Sequence, residues 1–168
     1  MKTYNCQDWV DMDACYKLGV IEEMLGRDWR GTIIDVIDHS NVTDIDKIWA
    51  ITKVFNRRQN VQFALNCLKE IKHLLVNESS KAVIPGLEAW LRGEDIDLDK
   101  LSRAARATAR AAPALPMPAW AAAWAAWTGL ELPRAAGAMA RAAWAVGVAR
   151  QRQLQIARNI ALDYKQHL

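Results

Sequence analysis

The stretch from Leu101 to Gln151 reads LSRAARATARAAPALPMPAWAAAWAAWTGLELPRAAGAMARAAWAVGVARQ. Alanine dominates it, its only acidic residue is Glu131, and four of the chain's eight tryptophans lie in it. Because a proline removes a backbone donor and restricts the residue before it, the prolines at 113, 116, 118 and 133 divide the stretch into three predicted helices. Alanine buries little area, so we expect the tryptophans to supply the packing bulk between these helices.

The rest of the chain shows the apolar spacing of amphipathic helices, and no segment alternates as a strand does. Thr43 and Asp97 are predicted N-caps, Asn56 to Asn60 form a predicted polar turn inside an αα-hairpin, and Pro85 is placed in the first turn of a helix that Gly93 ends. For residues 32–39 a strand is the minor alternative to a short helix. The predicted helices cover residues 11–25, 32–39, 43–55, 61–76, 85–92, 98–112, 118–128 and 133–166.

The chain of 168 residues suits one domain, so we expect a single-domain, all-α bundle of about seven helices with an Ala/Trp-rich C-terminal half. Residues 1–97 supply acidic helices and residues 98–168 basic ones. Residues 1–100 carry a net charge of −4 and residues 101–168 a net charge of +7. This asymmetry indicates either an electropositive face with an anionic partner or two halves that pack against each other.

The N-terminus has no apolar signal core, and no run reaches the ~18 apolar residues of a membrane span. We therefore expect a cytoplasmic protein with no membrane partner. Cys6, Cys15 and Cys67 form no CxxC pair, so we expect free and mostly buried thiols.

Catalytic and metal-binding patterns are missing from the sequence. His39, His73 and His167 are widely separated, and none has the spacing of a metal-ligand pair. The alternating acids Asp95, Asp97 and Asp99 lack the glycine and the distal glutamate of a calcium loop. We therefore expect no enzyme, no catalytic residue, no metal and no cofactor.

Three stretches resemble a known family, the Ala/Trp-rich, all-α immunity proteins that bacteria and their phages carry against polymorphic toxins. They are ACYKLGVIEEML (14–25), DKIWAI (46–51) and the region from Leu87 to the C-terminus, with its Leu-Arg-Gly-Glu turn, its Ala-rich block and its Gln-rich end. The resemblance implies neutralisation of a toxin and no catalytic site.

The residues favour binding, and two surfaces are candidates. Arginine suits phosphate and carboxylate, and tryptophan faces suit nucleobases, so the basic half predicts a pocket or interface. An acidic face could instead mimic phosphate towards a basic target. The basic candidates are Arg103, Arg106, Arg110, Trp120, Trp124, Trp127, Arg134, Arg141, Trp144 and Arg150; the acidic ones are Asp35, Asp38, Asp44, Asp46, Glu94, Asp95, Asp97 and Asp99.

Three functions follow from these surfaces. The first is stoichiometric binding of a protein target, which would be a toxin, a nuclease or a defence effector. The second, in a different class, is sequestration of an anionic, nucleotide-like signal in the Arg/Trp half. The third and weaker one is nucleic-acid binding. The small-residue helix faces also suggest a homodimer.

Overall fold

A computed structural model describes residues 1–70, 72, 78–97, 99–101, 103–104 and 147–166, with side chains except at 79, 80, 147–150 and 164–166. The described chain is helical with one small sheet, which confirms the all-α prediction. The bounds are β1 (Tyr4–Asn5), α1 (Cys6–Asp11), α2 (Leu18–Leu25), β2 (Arg30–Gly31), α3 (Ile33–Asp38), α4 (Asp44–Val54), α5 (Arg57–Glu70), α6 (Glu78–Arg92) and α7 (Gly147–Gln166).

The N-terminal region differs from the predicted helix over 11–25. Asn5 caps α1: its side chain accepts from the Asp8 backbone N–H, and the Asp8 carboxylate accepts from the Asn5 N–H. The chain then turns at Asp13, whose φ of 63° lies in the left-handed region, and α2 ends before Gly26 as predicted. The antiparallel pair of β1 and β2, with Tyr4 opposite Gly31, was not predicted. Two residues per strand are too few to show an alternating pattern.

Local capping chemistry sets the starts of α3 and α4. The Asp35 carboxylate accepts from the Thr32 backbone N–H at 2.6 Å, so residues 33–38 form a helix and the strand alternative is wrong. The Thr43 hydroxyl accepts from the Asp46 N–H at 3.3 Å and donates to the Asp46 carboxylate at 2.6 Å. The predicted Thr43 cap is therefore confirmed.

Helices α5 and α6 start earlier than predicted. The Asn56 side chain accepts from the Gln59 N–H at 2.9 Å, and α5 begins at Arg57, so the predicted polar turn over 56–60 is wrong. Pro85 lies inside α6 rather than in its first turn. The ring leaves the carbonyl of Lys81 without a helical donor, and both residues are exposed. Gly93 ends the helix with a φ of 80°, as predicted.

Helix α7 lies at the centre of the packing, although it comes from the far end of the chain. It contacts α3, α4 and α5, and α5 also packs on α6. Helix α4 packs mainly on α3 and α7, so the predicted α4–α5 hairpin is not a principal contact. Over residues 151–163, where the side chains of α7 are described, the buried residues are Leu154, Ile156, Ala157, Ile160 and Ala161.

Among the described side chains, two ion pairs join α7 to the acidic half. Arg158 Nη2 lies 3.0 Å from an Asp38 carboxylate oxygen, and Arg152 Nη2 lies 3.0 Å from a Glu70 oxygen. They favour the interpretation that the two oppositely charged halves pack against each other. None of the helices that the structure describes has both the length and the apolar character needed to cross a membrane.

Candidate functional site

A cavity of about 260 Å³ opens at the surface between α1, α2, α3 and α4. Its walls are mainly apolar, with Ile21 and Leu25 from α2 and Val36 from α3. The chemically distinct lining residues are Trp9, Cys15, Tyr16, Asp46 and Trp49. This cavity is the candidate site in the described part of the chain.

The loop between α1 and α2 forms one side of the cavity. The turn at Asp13 brings the Ala14 N–H to the Trp9 carbonyl at 3.2 Å, and Cys15 and Tyr16 follow. The Thr43 cap holds the carboxylate of Asp46 in the first turn of α4, next to the Tyr16 phenol. The left-handed conformation of Asp13 therefore positions Cys15 and Tyr16, and the Thr43 cap positions Asp46.

Two tryptophans form the aromatic wall. The ring centroids of Trp9 and Trp49 lie 6.4 Å apart with the planes tilted by 58°. The ring centroid of Tyr4 lies 5.1 Å from that of Trp9. Trp9 is 4% exposed, and its indole N–H is buried with no acceptor among the described residues. The Lys53 ammonium lies 5.7 Å from the Trp49 ring centroid and 3.8 Å from an Asp13 carboxylate oxygen.

The electrostatics of the cavity depend on Asp46, the one carboxylate among the lining residues described. Its negative charge raises the pKa of the Tyr16 phenol, and partial burial adds to the shift, so Tyr16 is neutral at physiological pH. Cys15 is exposed at the cavity mouth. His39, the histidine that the structure describes, does not line the cavity. The arrangement can bury an apolar group and attract a positive charge.

The described residues contain no group of three or more His, Cys, Asp or Glu side chains that could hold a metal ion. Burial raises the pKa of the Cys6 thiol, which donates to the Gly26 carbonyl at 3.4 Å. Burial also raises the pKa of Cys67 to about 12. Neither thiol lines this cavity.

The basic candidates fall almost entirely outside the described residues. Arg103 is exposed in a helical turn after α6, and Arg150 lies in α7 with its side chain outside the description. The predicted Arg/Trp pocket therefore stays a prediction. The candidates outside the described residues are Arg106, Arg110, Trp120, Trp124, Trp127, Arg134, Arg141 and Trp144.

The acidic candidates are all described, and most have a structural partner. Thr32 holds Asp35, whose pKa is lowered by the Thr32 backbone N–H, and Arg158 holds Asp38. Arg92 pairs with Glu94, and its hydrogen bond lowers the carboxyl pKa. Asp97 accepts from the Lys100 N–H at 2.8 Å as the predicted cap. Asp46 lines the cavity, Asp44 is half-buried, and Asp95 and Asp99 are exposed.

The sequence interpretation selected Asp46 but not the other residues of this site. Trp9 and Trp49 are 40 positions apart, and no local spacing relates them. The sequence predicts Cys15 and Tyr16 inside a helix, whereas they lie in the loop before α2. Asp13 and Ala14 carried no signal of the turn that shapes the cavity mouth.

A scan against protein-family models found no match for this chain, and searches of curated proteins and of solved structures found no match either.

Proposed function

We propose that this protein is a non-enzymatic binding protein of the immunity or inhibitor type, which acts stoichiometrically on a toxin, a nuclease or a defence effector. The carrying observation is the apolar cavity of about 260 Å³ framed by α1, α2 and α4. A rigid concave site of this kind accepts one large side chain from a partner protein. Such buried anchors supply most of the binding free energy of an interface.

The size of the cavity favours a side chain over a cofactor. Pockets for drug-sized ligands range over roughly 300–1,000 Å³, whereas an apolar cavity of ~150 Å³ accepts benzene. The value of about 260 Å³ therefore suits a group of one or two rings. Loss of an anchor of that size costs an interface about 2–4 kcal/mol.

Sequestration of an anionic nucleotide is less well supported at this site. No described Lys or Arg lines the cavity, and Asp46 would repel a phosphate group. That function, like nucleic-acid binding, depends on the Arg/Trp half and stays a prediction there. The predicted homodimer also stays a prediction, and the mass in solution by light scattering tests it.

The decisive experiment fills the cavity and asks whether a target is lost. Ala14 lines the cavity, so Ala14→Trp places an indole inside it. Ala82→Trp adds the same side chain at an exposed position of α6 and is the matched control. Tagged forms of both variants and of the wild type are used for affinity capture from the source cells. Each captured protein is then purified and titrated by calorimetry.

We expect the wild type and Ala82→Trp to hold the same protein at one-to-one stoichiometry, and Ala14→Trp to lose it while melting at a similar temperature. Equal binding of the target by Ala14→Trp would refute the role of the cavity as the binding site, and capture of no specific protein by the wild type would refute the proposed function.

A further inference from the structure

We propose that the cavity recognises a positively charged group carried on an aromatic body, so that the partner's anchor is an aromatic side chain with a lysine or arginine beside it. This inference rests on the proposed function, because it names the chemistry of the group that the protein target inserts.

The charge comes from Asp46. It is the one ionised side chain among the described lining residues, and it is half-buried. The Thr43 hydroxyl donates to its Oδ2 atom at 2.6 Å, and the Tyr16 phenol interacts with the same carboxylate, so the charge is held in place at the cavity. A carboxylate held in a partly desolvated site attracts a cation more strongly than one in open water.

The aromatic rings add a second attraction for cations. Trp49 already has the Lys53 ammonium 5.7 Å from its ring centroid, within the range of cation–π contacts. Lys53 does not line the cavity, and its charge faces an Asp13 oxygen at 3.8 Å, so the positive charge is balanced outside the site. Tyr16 brings a neutral phenol to the mouth. Trp9 and Trp49 give an aromatic body a surface on which to pack.

Other ligand classes fit this combination less well. An anion would meet the Asp46 carboxylate with no cation among the lining residues to offset it. A neutral apolar group would bury part of that carboxylate without giving it a partner, which costs free energy. A cation on an aromatic body uses both the walls and the charge.

Three indole compounds of nearly equal size separate these classes without the target: tryptamine, which is cationic, tryptophol, which is neutral, and indole-3-acetate, which is anionic. Each is titrated into the ¹⁵N-labelled full chain at low ionic strength. Binding is followed by the indole N–H signals of Trp9 and Trp49, assigned with Trp→Phe variants. The titrations are repeated with Asp46→Asn and with Asp44→Asn.

Asn at position 46 keeps an oxygen that accepts from Thr43, so Asp46→Asn removes the charge and preserves the cap. Asp44→Asn removes the same charge two residues away at a position that does not line the cavity. We expect the wild type to prefer tryptamine over tryptophol by about tenfold and to bind indole-3-acetate least, since a charge-assisted hydrogen bond contributes about that factor. The preference falls to near unity in Asp46→Asn and persists in Asp44→Asn.

Equal affinity for the three compounds, a preference that survives Asp46→Asn, or no shift of either indole signal would each overturn this inference. The proposed function fails separately. If tryptamine binds through Asp46 but Ala14→Trp still holds the protein target, the cavity has the inferred chemistry and the target binds elsewhere. If Ala14→Trp loses the target and none of the compounds binds, the proposed binding of a protein target in the cavity is supported and the inferred preference for a cation is refuted.

Discussion

Arg158 of α7 holds Asp38 of α3 with two guanidinium nitrogens, Nη2 at 3.0 Å from Oδ2 and Nε at 3.1 Å from Oδ1. The two residues are 120 positions apart, and they connect the basic end of the chain to its acidic half. This fork geometry suits arginine and carboxylate. The Asp38 carboxylate, a candidate for a phosphate-mimicking face, is engaged inside the molecule.

Removal of the Asp38 charge tests the contribution of this pair. Asp38→Asn should lower the melting temperature slightly, because both side chains are partly exposed and water screens the attraction. The decrease should vanish in about 1 M salt, where the screening length is about 3 Å. Asp99→Asn, at an exposed position, is the control. Thermal melts in which the two variants behave alike at low salt would show that the pair contributes nothing.

Asn60 should be a sensitive core position. It is 2% exposed, and its amide N–H groups donate to the carbonyls of Phe55 at 2.9 Å and Thr52 at 3.3 Å, which joins the end of α4 to α5. Asn60→Asp replaces the donor by an anion that faces two carbonyl oxygens. We expect the free energy of unfolding to fall by about 2–4 kcal/mol at neutral pH. Urea unfolding measures the loss, with Asn66→Asp in the same helix as the control.

The pH dependence of Asn60→Asp has a definite sign. Burial beside carbonyl oxygens raises the pKa of the new carboxyl in the folded state above its unfolded value, since the protonated form can donate. Its stabilising contribution is therefore present at low pH and lost as the pH rises through the folded pKa. The difference in free energy of unfolding between Asn60→Asp and the wild type should decrease as the pH falls from about 6 to about 4. A gap that widens on acidification would contradict this account of the site.

Substitution by alanine should destabilise the protein at Gly31 and have little effect at Gly86. A Cβ at Gly31 would lie 2.5 Å from the Trp29 ring and 2.9 Å from the Asp35 Cβ, within the short β1–β2 pair. Gly31→Ala should therefore cost about 1–3 kcal/mol. A Cβ at Gly86 would meet only the flexible end of Leu101. At Gly86 the higher helix propensity of alanine, about 0.5–1 kcal/mol, offsets the steric cost of the contact with Leu101. Chemical denaturation that ranks Gly86→Ala as the more harmful change would refute the prediction.

Cys67 should make the fold sensitive to alkali. Burial raises its pKa from 9.0 to about 12, so the folded state keeps a proton that the unfolded state has released. The contribution of Cys67 to the free energy of unfolding is complete below pH 9. It is lost as the pH rises towards 12, by up to about 1 kcal/mol per pH unit. Cys67→Ala should flatten this part of the stability curve in urea titrations. An unchanged slope would show that Cys67 does not cause it.

Cys15 should be the one thiol that reacts in the native protein. It is exposed, whereas Cys6 and Cys67 are buried with raised pKa values. Mass spectrometry after a brief exposure to iodoacetamide at neutral pH should show one adduct per native chain and three after denaturation. Cys15→Ser should show none in the native state. Rapid native labelling of that variant would mean that a buried thiol becomes accessible.

Local rules predicted much of the helical pattern. The caps at Thr43 and Asp97 and the helix end at Gly93 depend on side chains within a few residues of each other, so the sequence alone identifies them. The helix start at Arg57 depends on a reciprocal local cap between Asn56 and Gln59, where the sequence pattern indicates a polar turn, and the start at Glu78 was missed because Pro85 lies inside α6 rather than in its first turn. Tertiary packing decides Asn60: a residue type typical of turns is buried inside α5, where its amide N–H groups donate to the carbonyls of Thr52 and Phe55.

The candidate site was less predictable than the helices. Of its chemically distinct residues, only Asp46 was selected from the sequence, and it was selected as part of an acidic face. Trp9 and Trp49 meet across separate helices, and a left-handed residue at Asp13 sets the loop that closes one side. Neither relationship has a periodic signature along the chain.

The amino-acid order by itself determined that this chain is helical, where several of its helices are capped, and that its two halves carry opposite charge. These properties depend on backbone hydrogen bonds and side chains that are close in sequence. Only the tertiary structure decided that α7 packs against α3, α4 and α5, that Arg158 holds Asp38, and that Trp9, Trp49 and Asp46 line one cavity. Those contacts join residues from distant parts of the chain, and burial of apolar surface, which has no direction, selects them.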